Sequence, residues 1–384
     1  MQQPRRRRRR SPEKPLHEQV EEASSKRPEP RKIAAELLIP SGSTLLNCAC
    51  SDNPLGAYGL GKIVTIPGGS VSGKTILSLT TFAEANLIKA LDEYDFIYDD
   101  IEEALEFDMT YLFGESTSER VKAPAYDDKE PVYSDTIQDL QANIMRRCKD
   151  KNPKPFIYIL DSLDALTSDE EVEREYKNAL LKAKSAEHVE KLAQSYGTEK
   201  ARIIGRVLRM IKKEIKLSQS TLVIVQQERQ KIGATFGKQW TTSGGKAPFY
   251  YSSHQVRLNR IRTLTDKERK IGTEVNADVI KNKLTGKERD ATFKIYYDYG
   301  IDDVAACVDF LCKEHWPHPV EKGKQKTGTW IAEDLLQGLQ GSKATIIDRI
   351  EQEGAEKEMR ELVGVVWNKI EKSLRLDHRK RKYD

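Results

Sequence analysis

One stretch constrains this chain more than any other: Gly68-Gly69-Ser70-Val71-Ser72-Gly73-Lys74-Thr75, a G-x-x-x-x-G-K-T phosphate loop. Ahead of it, Lys62-Ile63-Val64-Thr65-Ile66 is short, β-branched and apolar, the composition of a buried strand. Behind it, from Thr75 to Ala90, Ile76, Leu77, Leu79, Phe82, Ala83, Leu87 and Ile88 recur at helical spacing. Strand, glycine-rich turn and helix are what phosphate binding requires. Glycines let backbone N–H groups turn inward around phosphate oxygens, and the helix N-terminus adds its positive dipole end. In such a loop Lys74 neutralises β- and γ-phosphate charge and the Thr75 hydroxyl is a Mg²⁺ ligand. The expected ligands are ATP and Mg²⁺.

At 384 residues the chain is long enough for one large domain with smaller appendages. Charged residues make up 32% of it, and no apolar run approaches a membrane span, so no membrane partner and a cytoplasmic location are expected. An arginine run opens the chain with no apolar segment behind it, unlike a secretory signal. The formal net charge of +4 matters less than its distribution: Arg5 to Arg10 form an unbroken basic block, and His378-Arg379-Lys380-Arg381-Lys382 lie near the end. Such blocks are either solvated tails or nucleic-acid attractants. The five cysteines, Cys48, Cys50, Cys148, Cys307 and Cys312, are an odd, sparse set that suits reduced thiols. Cys307 and Cys312 with His315 and His318 could be drawn as a zinc cluster. However, Val304 to Trp316 reads as an amphipathic helix, so buried thiols are expected and no metal beyond nucleotide Mg²⁺.

Composition divides the chain. Residues 1–32 are rich in Arg, Pro, Glu and Ser and read as a disordered basic arm. Residues 33–60 form a lead-in with one short apolar element, Ile33 to Ile39, suited to packing on a neighbour. Strands are expected at Tyr94–Tyr98, Phe156–Leu160, Thr221–Val225, Val256–Thr263, Glu274–Lys281 and Ala291–Tyr297. Helices alternate with the first of these, which predicts an α/β core over 61–300. Its twisted sheet is mainly parallel, flanked by helices, with an antiparallel continuation. Asp169 to Gln194 reads as a charged helical insertion broken at Tyr196-Gly197-Thr198, before a basic helix from Ala201 to Leu217. Residues 301–375 read as a small helix-rich C-terminal domain, with helices over Ile301–His315, Trp330–Leu339 and Lys343–Leu374, and 376–384 as a basic tail.

Two carboxylate positions suit the nucleotide. The strand at Tyr94–Tyr98 ends in Asp99, Asp100, Glu102 and Glu103, which could orient an attacking water or cap a helix over Glu103–Phe113. The strand at Phe156–Leu160 delivers Asp161 to the Mg²⁺ shell. After Gln226-Gln227 comes a loop rich in glycine, threonine and basic residues, with Arg229, Lys231, Trp240, Thr241, Thr242, Gly244, Gly245 and Lys246. Backbone donors, cations and an aromatic ring suit gripping phosphates and stacking on bases; a flexible surface loop is the competing reading.

In their order, five segments resemble the RecA-type recombinases, bacterial and phage. They are the phosphate loop, Ile97–Leu105, Ile159–Thr167, Gln227–Gly245 and Val279–Lys283. The fourth, Gln-x-Arg-x-Lys-Ile-Gly-x-x-Phe-Gly and then Thr-Thr-x-Gly-Gly-x-Ala, is the most specific. The resemblance implies a RecA-like ATPase fold and ATP-dependent strand exchange on a helical homo-oligomeric filament, with single-stranded DNA and homologous duplex DNA as partners. It assigns Glu102 to activating water, Asp161 to the Mg²⁺ shell, and Gln227 to sensing γ-phosphate. It places a second DNA-binding loop at Gln230–Gly245 and a first near Tyr196–Ala201. Arg206 and Lys213 fall at phosphate-contacting positions, and Lys281 and Lys283 reach the ATP of a neighbouring protomer.

The chain departs from the family in places. No N-terminal oligomerising helix is recognisable, the insertion is extra, and a basic tail replaces an acidic one, as in a phage-like or divergent member. Met109 stands where an adenine-stacking tyrosine is expected, with Tyr111 close by. Two other activities share the core: a ring-forming DNA translocase or helicase, and an ATP-gated protein that coats single strands without exchanging them.

Overall fold

The computed structural model describes residues 37–375 except 104, 106, 174–185, 231–239, 243, 315–317, 323–324 and 333–337. The arm at 1–32, the tail at 376–384, Lys231 and most of Ile33–Ile39 therefore lie outside the described residues.

The chain enters through β1 (Leu38–Ile39), α1 (Thr44–Ser51) and β2 (Tyr58–Gly59), and then β3 (Ile63–Gly68) runs into the phosphate loop. Next come α2 (Lys74–Asn86), β4 (Asp95–Asp100), α3 (Met109–Phe113), α4 (Glu115–Arg120), β5 (Val121–Lys122), β6 (Ala125–Asp127) and β7 (Glu130–Val132). After α5 (Ile137–Cys148) and β8 (Phe156–Asp161), the long α6 (Ala186–Ser218) leads to β9 (Thr221–Gln230), β10 (Trp240–Thr242) and α7 (Ala247–Tyr251). The antiparallel part is β11 (His254–Asp266), β12 (Arg269–Asn282), β13 (Asp290–Tyr296) and β14 (Gly300–Asp302). Last come α8 (Asp303–Lys313), β15 (His318–Lys322), β16 (Gln325–Ala332), β17 (Leu339–Gly341), α9 (Lys343–Glu353) and α10 (Glu356–Ser373).

The main sheet has the order β14-β13-β12-β11-β3-β9-β8-β4-β5. From β11 to β5 neighbours are parallel, and from β11 to β14 antiparallel. Alternation along the strands builds two cores. Val64, Ile66, Ile157, Ile159 and Val223 face the layer holding α2, while Ile63, Tyr158, Leu160, Leu222 and Ile224 face α5 and α6. The phosphate loop leaves a central strand at its C-terminal end, where open α/β sheets bind their ligands.

Four expectations about elements are corrected. The break at Tyr196-Gly197-Thr198 is not there: α6 is helical throughout. A lone glycine in a helix costs only about 1 kcal/mol against alanine, and Lys191 to Gln194 and Glu199 to Ala201 are good helix formers. The helix expected over Glu103–Phe113 is confined to Met109–Phe113, with Asp108 as its cap, because residues 101–102 turn and Glu103 has φ 47°. Of the helix expected over Trp330–Leu339, residues 330–332 and 339 are strand and 333–337 lie outside the described residues: Thr327, Thr329, Trp330 and Ile331 are β-branched or aromatic, and β16 pairs with β15 and β17. The C-terminal helical run also stops at Gly354, at φ 65°, which separates α9 from α10.

Helix α10 closes on the core. Met359, Val363 and Trp367 join the α2-side cluster, and Arg360 forms a bidentate pair with Glu84, both bonds 2.9 Å. Cys48, Cys50, Cys307 and Cys312 are free, buried thiols, as expected. Among the described residues no helix is long and apolar enough to cross a membrane.

Candidate functional site

The site is built on the C-terminal ends of β3, β8, β4 and β9. Two glycines of the loop are demanded by geometry. Gly73 has φ 84°, and a Cβ there would come within 2.3 Å of Ile295. At Gly68 a Cβ would lie 2.8 Å from the Leu258 carbonyl. Val71 is held at φ 58°, a conformation a β-branched residue rarely adopts, and is exposed. Lys74 Nζ donates to the Gly69 carbonyl at 2.6 Å, across the cradle the loop encloses. Burial lowers the Lys74 pKa, while Asp161, Asp164, Glu102 and Glu228 pull the other way.

Strands β4 and β8 are neighbours in register, Asp100 opposite Asp161, so their ends present carboxylates side by side. Thr75 Oγ1 donates to Asp161 Oδ2 at 2.7 Å, and the Tyr98 hydroxyl reaches the same oxygen at 3.3 Å. Burial pushes the Asp161 carboxyl up, those two hydrogen bonds pull it down, and the Glu102 charge adds to the rise. A hydroxyl and a carboxylate on one spot are hard oxygen donors of the kind Mg²⁺ takes, so Thr75 and Asp161 fit the implied ion. The Asp161–Ser162 peptide is cis. Ser162 Oγ donates to Glu102 Oε1 at 2.7 Å, which ties Glu102, and not Glu103, to the Asp161 end. Buried Asp100 accepts from Leu105 N at 3.0 Å and so anchors the turn that carries Glu102.

Gln227 sits where β9 leaves the core, exposed, and its N–H donates to Asp164 Oδ2 at 2.6 Å. Past it β9 pairs with β10, Arg229 opposite Thr241 and Glu228 opposite Thr242. Arg257 clamps Glu228 with bonds of 2.6 and 2.9 Å and lies over the Trp240 ring at 4.7 Å. The hairpin stem is thus pinned to the sheet, with Arg229 and Thr241 exposed. Gly244 and Gly245, at φ 80° and 61°, pack against Ile204 and Ala201 of α6. Exposed Lys246 follows, and exposed Arg206 stands on the same turn of α6.

Other expected residues are not brought together. Lys213, seven residues beyond Arg206 on α6, lines a cavity with Asp92, Glu93 and Lys154 at the opposite end of the sheet. Lys281 and Lys283 lie at that end too, because His254 pairs with both Val64 of β3 and Asn282 of β12. Lys281 is level with Thr65 and Lys283 with Ile63, so about 10 Å and about 17 Å of strand, at ~3.3 Å per residue, lie between them and the end of β3 at Gly68. Lys281 Nζ donates to the Phe249 carbonyl and, at 3.3 Å, to that of Tyr250, above the Phe249 ring. With the α6 break gone, no loop stands at Tyr196–Ala201 for a first DNA contact.

The structure adds residues that sequence reading missed. A cavity of about 390 Å³ beside the loop is walled by Ile76, Phe107, Leu112, Ile295, Tyr296 and Tyr297. Flat apolar walls next to a phosphate cradle suit a purine base. Met109 packs partly buried against the core and Tyr111 is 69% exposed, and neither lines that cavity. The run Tyr296-Tyr297 at the end of β13 was the available signal, hidden by its strand periodicity. Asp164 and Lys200 were also missed: Lys200 Nζ donates to the Asp164 carbonyl at 3.1 Å, with burial lowering its pKa.

A family model described as RecA N-terminal domain matches residues 28–302. The chain is 26% identical over 333 residues to a Protein RecA from Nocardia farcinica, covering 85% of this chain and 84% of that protein. It is 28% identical to one from Streptomyces rimosus, covering 85% and 77%. A Protein RecA from Corynebacterium efficiens is 29% identical over 307 residues, 80% of this chain and 69% of that one.

Proposed function

Because this chain belongs to the RecA family, we propose that it is a DNA-dependent ATPase that polymerises on single-stranded DNA and exchanges it with homologous duplex DNA. The observation that carries this reading is the continuous path from nucleotide to nucleic-acid segment. Thr75 meets Asp161, Ser162 meets Glu102, and Asp164 holds Gln227, from which β9 runs straight into the Arg229–Thr242 stem. In a plain nucleotide-binding protein nothing requires that path.

The residues divide the work. Gly68 to Gly73 and Lys74 cradle the phosphates of ATP, and Lys74 leaves the Gly69 carbonyl to do so. Thr75 and Asp161 would hold Mg²⁺, which when bound neutralises phosphate charge. Glu102, kept in place by Ser162, accepts a proton from the attacking water. Gln227 responds to the γ-phosphate and passes the change to the hairpin, where Arg229, Lys231, Thr241, Thr242 and the N–H groups of Gly244 and Gly245 meet DNA phosphates. Arg206 and Lys246 extend the basic surface, whereas Lys213, at the opposite end of the sheet, lies apart from it. Lys281 and Lys283, out of reach of their own nucleotide, act on that of the next protomer in a filament.

Glu102→Gln tests the reading. The variant should bind ATP and single-stranded DNA and form filaments visible by electron microscopy, yet not turn over. Hexameric rings on DNA would establish a translocase instead, and filaments without strand exchange a coating protein.

A further inference from the structure

The end of the sheet opposite the phosphate loop carries a cleft of about 350 Å³ lined by Lys62, Lys212, Lys216, Lys283, Tyr251 and His254. No carboxylate lines it among the described residues. Lys212 and Lys216 are one helical turn apart on α6, so both point the same way, and Lys212 Nζ lies 5.8 Å from the Tyr251 ring centre. The lysines reach it from three elements: the start of β3, the face of α6 and the end of β12. Like charges gathered without counter-ions cost stability, and a polyanion repays that cost by binding.

The neighbouring Lys281 is a compromised cation. Its ammonium is already shared between the Phe249 and Tyr250 carbonyls. Burial and the charges of Lys283 and Lys212 lower its pKa to about 8. The cleft and the phosphate loop cap opposite ends of the same strand, β3. Head-to-tail stacking of copies therefore brings the lysine end of one against the nucleotide and the Glu102, Asp161 and Asp164 carboxylates of the next. Opposite charge meets across that junction.

We propose that Lys212 is a third trans-acting cation: with Lys281 and Lys283, it contacts the triphosphate of the nucleoside triphosphate held by the next copy of this chain. This rests on the head-to-tail reading above and adds a residue that the reading does not contain. Lys212 is well suited because it projects from a rigid helix and spends none of its hydrogen-bonding capacity on a carbonyl or carboxylate of the described residues.

The test uses the full chain on single-stranded DNA with saturating ATP. Lys212→Gln should lower kcat by about tenfold or more, while ATP affinity of the unassembled chain stays unchanged and Lys212→Arg regains most turnover. Mixed with Glu102→Gln in co-assembled filaments, Lys212→Gln should regain part of its hydrolysis, since intact Glu102 sites then meet intact Lys212 neighbours. Wild-type turnover in Lys212→Gln would overturn the proposal. So would a weaker single-strand affinity with a salt slope reduced by about one, the mark of a DNA phosphate contact. A Lys281→Gln/Lys283→Gln double variant is mixed with Glu102→Gln in parallel. Recovery there but not with Lys212→Gln removes Lys212 alone; recovery in neither mixture, with co-assembly demonstrated, removes the head-to-tail reading itself.

Discussion

The two ends of β3 differ in how their charges are satisfied. At the C-terminal end acids are matched locally: Asp161 by Thr75 and Tyr98, Glu102 by Ser162, Asp164 by the Gln227 N–H. At the N-terminal end Lys62, Lys212, Lys216 and Lys283 share a cleft with no carboxylate in its lining. The first end has its side chains already bonded to one another. The second, on the proposal above, is half a site that an anion from outside the chain would complete. On the proposed reading a single subunit would bind nucleotide but hydrolyse it slowly, and an assembly would join the halves. That difference can be attacked from either end.

The largest effect is expected at the assembled end. Lys74→Ala removes the cation at the centre of the cradle and should lower DNA-dependent hydrolysis by about 10³-fold or more. Unchanged hydrolysis would move the active site elsewhere. Glu102→Gln should follow, losing about 10²–10⁴-fold in kcat with ATP affinity intact. Because Ser162 bonds Glu102 while Glu103 stands at positive φ, Glu103→Gln should stay near wild type. The reverse result would place the water-activating carboxylate one residue later.

A smaller effect is expected at the hairpin stem. Arg229 is exposed and opposite Thr241, and its loss should weaken single-strand binding and reduce the salt slope by about one. Arg257→Ala acts on the same stem from beneath: the Glu228 pair and the Trp240 contact go together. It should lower single-strand affinity without changing that slope, because the Arg257 guanidinium is committed to Glu228. A slope that falls with Arg257→Ala would make it a phosphate contact and not a support.

The sequence made the assembled end legible because its chemistry is local. The phosphate loop, the Asp161 strand end and Gln227 each sit at the C-terminus of an apolar run, and strand periodicity alone places them on one edge. The other end was opaque because it depends on register. Only the pairing of His254 with both Val64 and Asn282 shows that Lys283 and Lys62 are neighbours, and only the packing of α6 on the sheet brings Lys212 beside them. The cavity beside the phosphate loop was missed for a like reason: Phe107 and Tyr297 come from segments far apart in the chain. The expected break at Tyr196–Ala201 failed because one glycine is a weak breaker among good helix formers. The expected helix at Trp330–Leu339 failed over residues 330–332, where the aromatic Trp330 and β-branched Ile331 favour strand over an apolar spacing that fits either element.

The smallest effect belongs to Lys281, where the half-site can be titrated without a ligand. Its pKa falls from the ordinary 10.5 to about 8, first through burial and then through Lys283 and Lys212. The sign of the consequence follows from proton counting. Below about pH 8 folded and unfolded chains both carry the proton, and the folded state bears the whole cost of the crowded charge. Between about 8 and 10.5 the unfolded chain keeps a proton that the folded chain has released, so stability rises with pH there. Lys281→Met removes the titration along with the carbonyl bonds, a loss that is constant in pH. The stability of wild type relative to Lys281→Met should therefore climb through that window in denaturant unfolding. Lys212→Gln should narrow the climb from its lower edge, because one of the charges depressing Lys281 is gone. A flat difference between wild type and Lys281→Met would mean that the lysines do not repel one another in the free chain, and that the N-terminal end of β3 is not waiting for an anion.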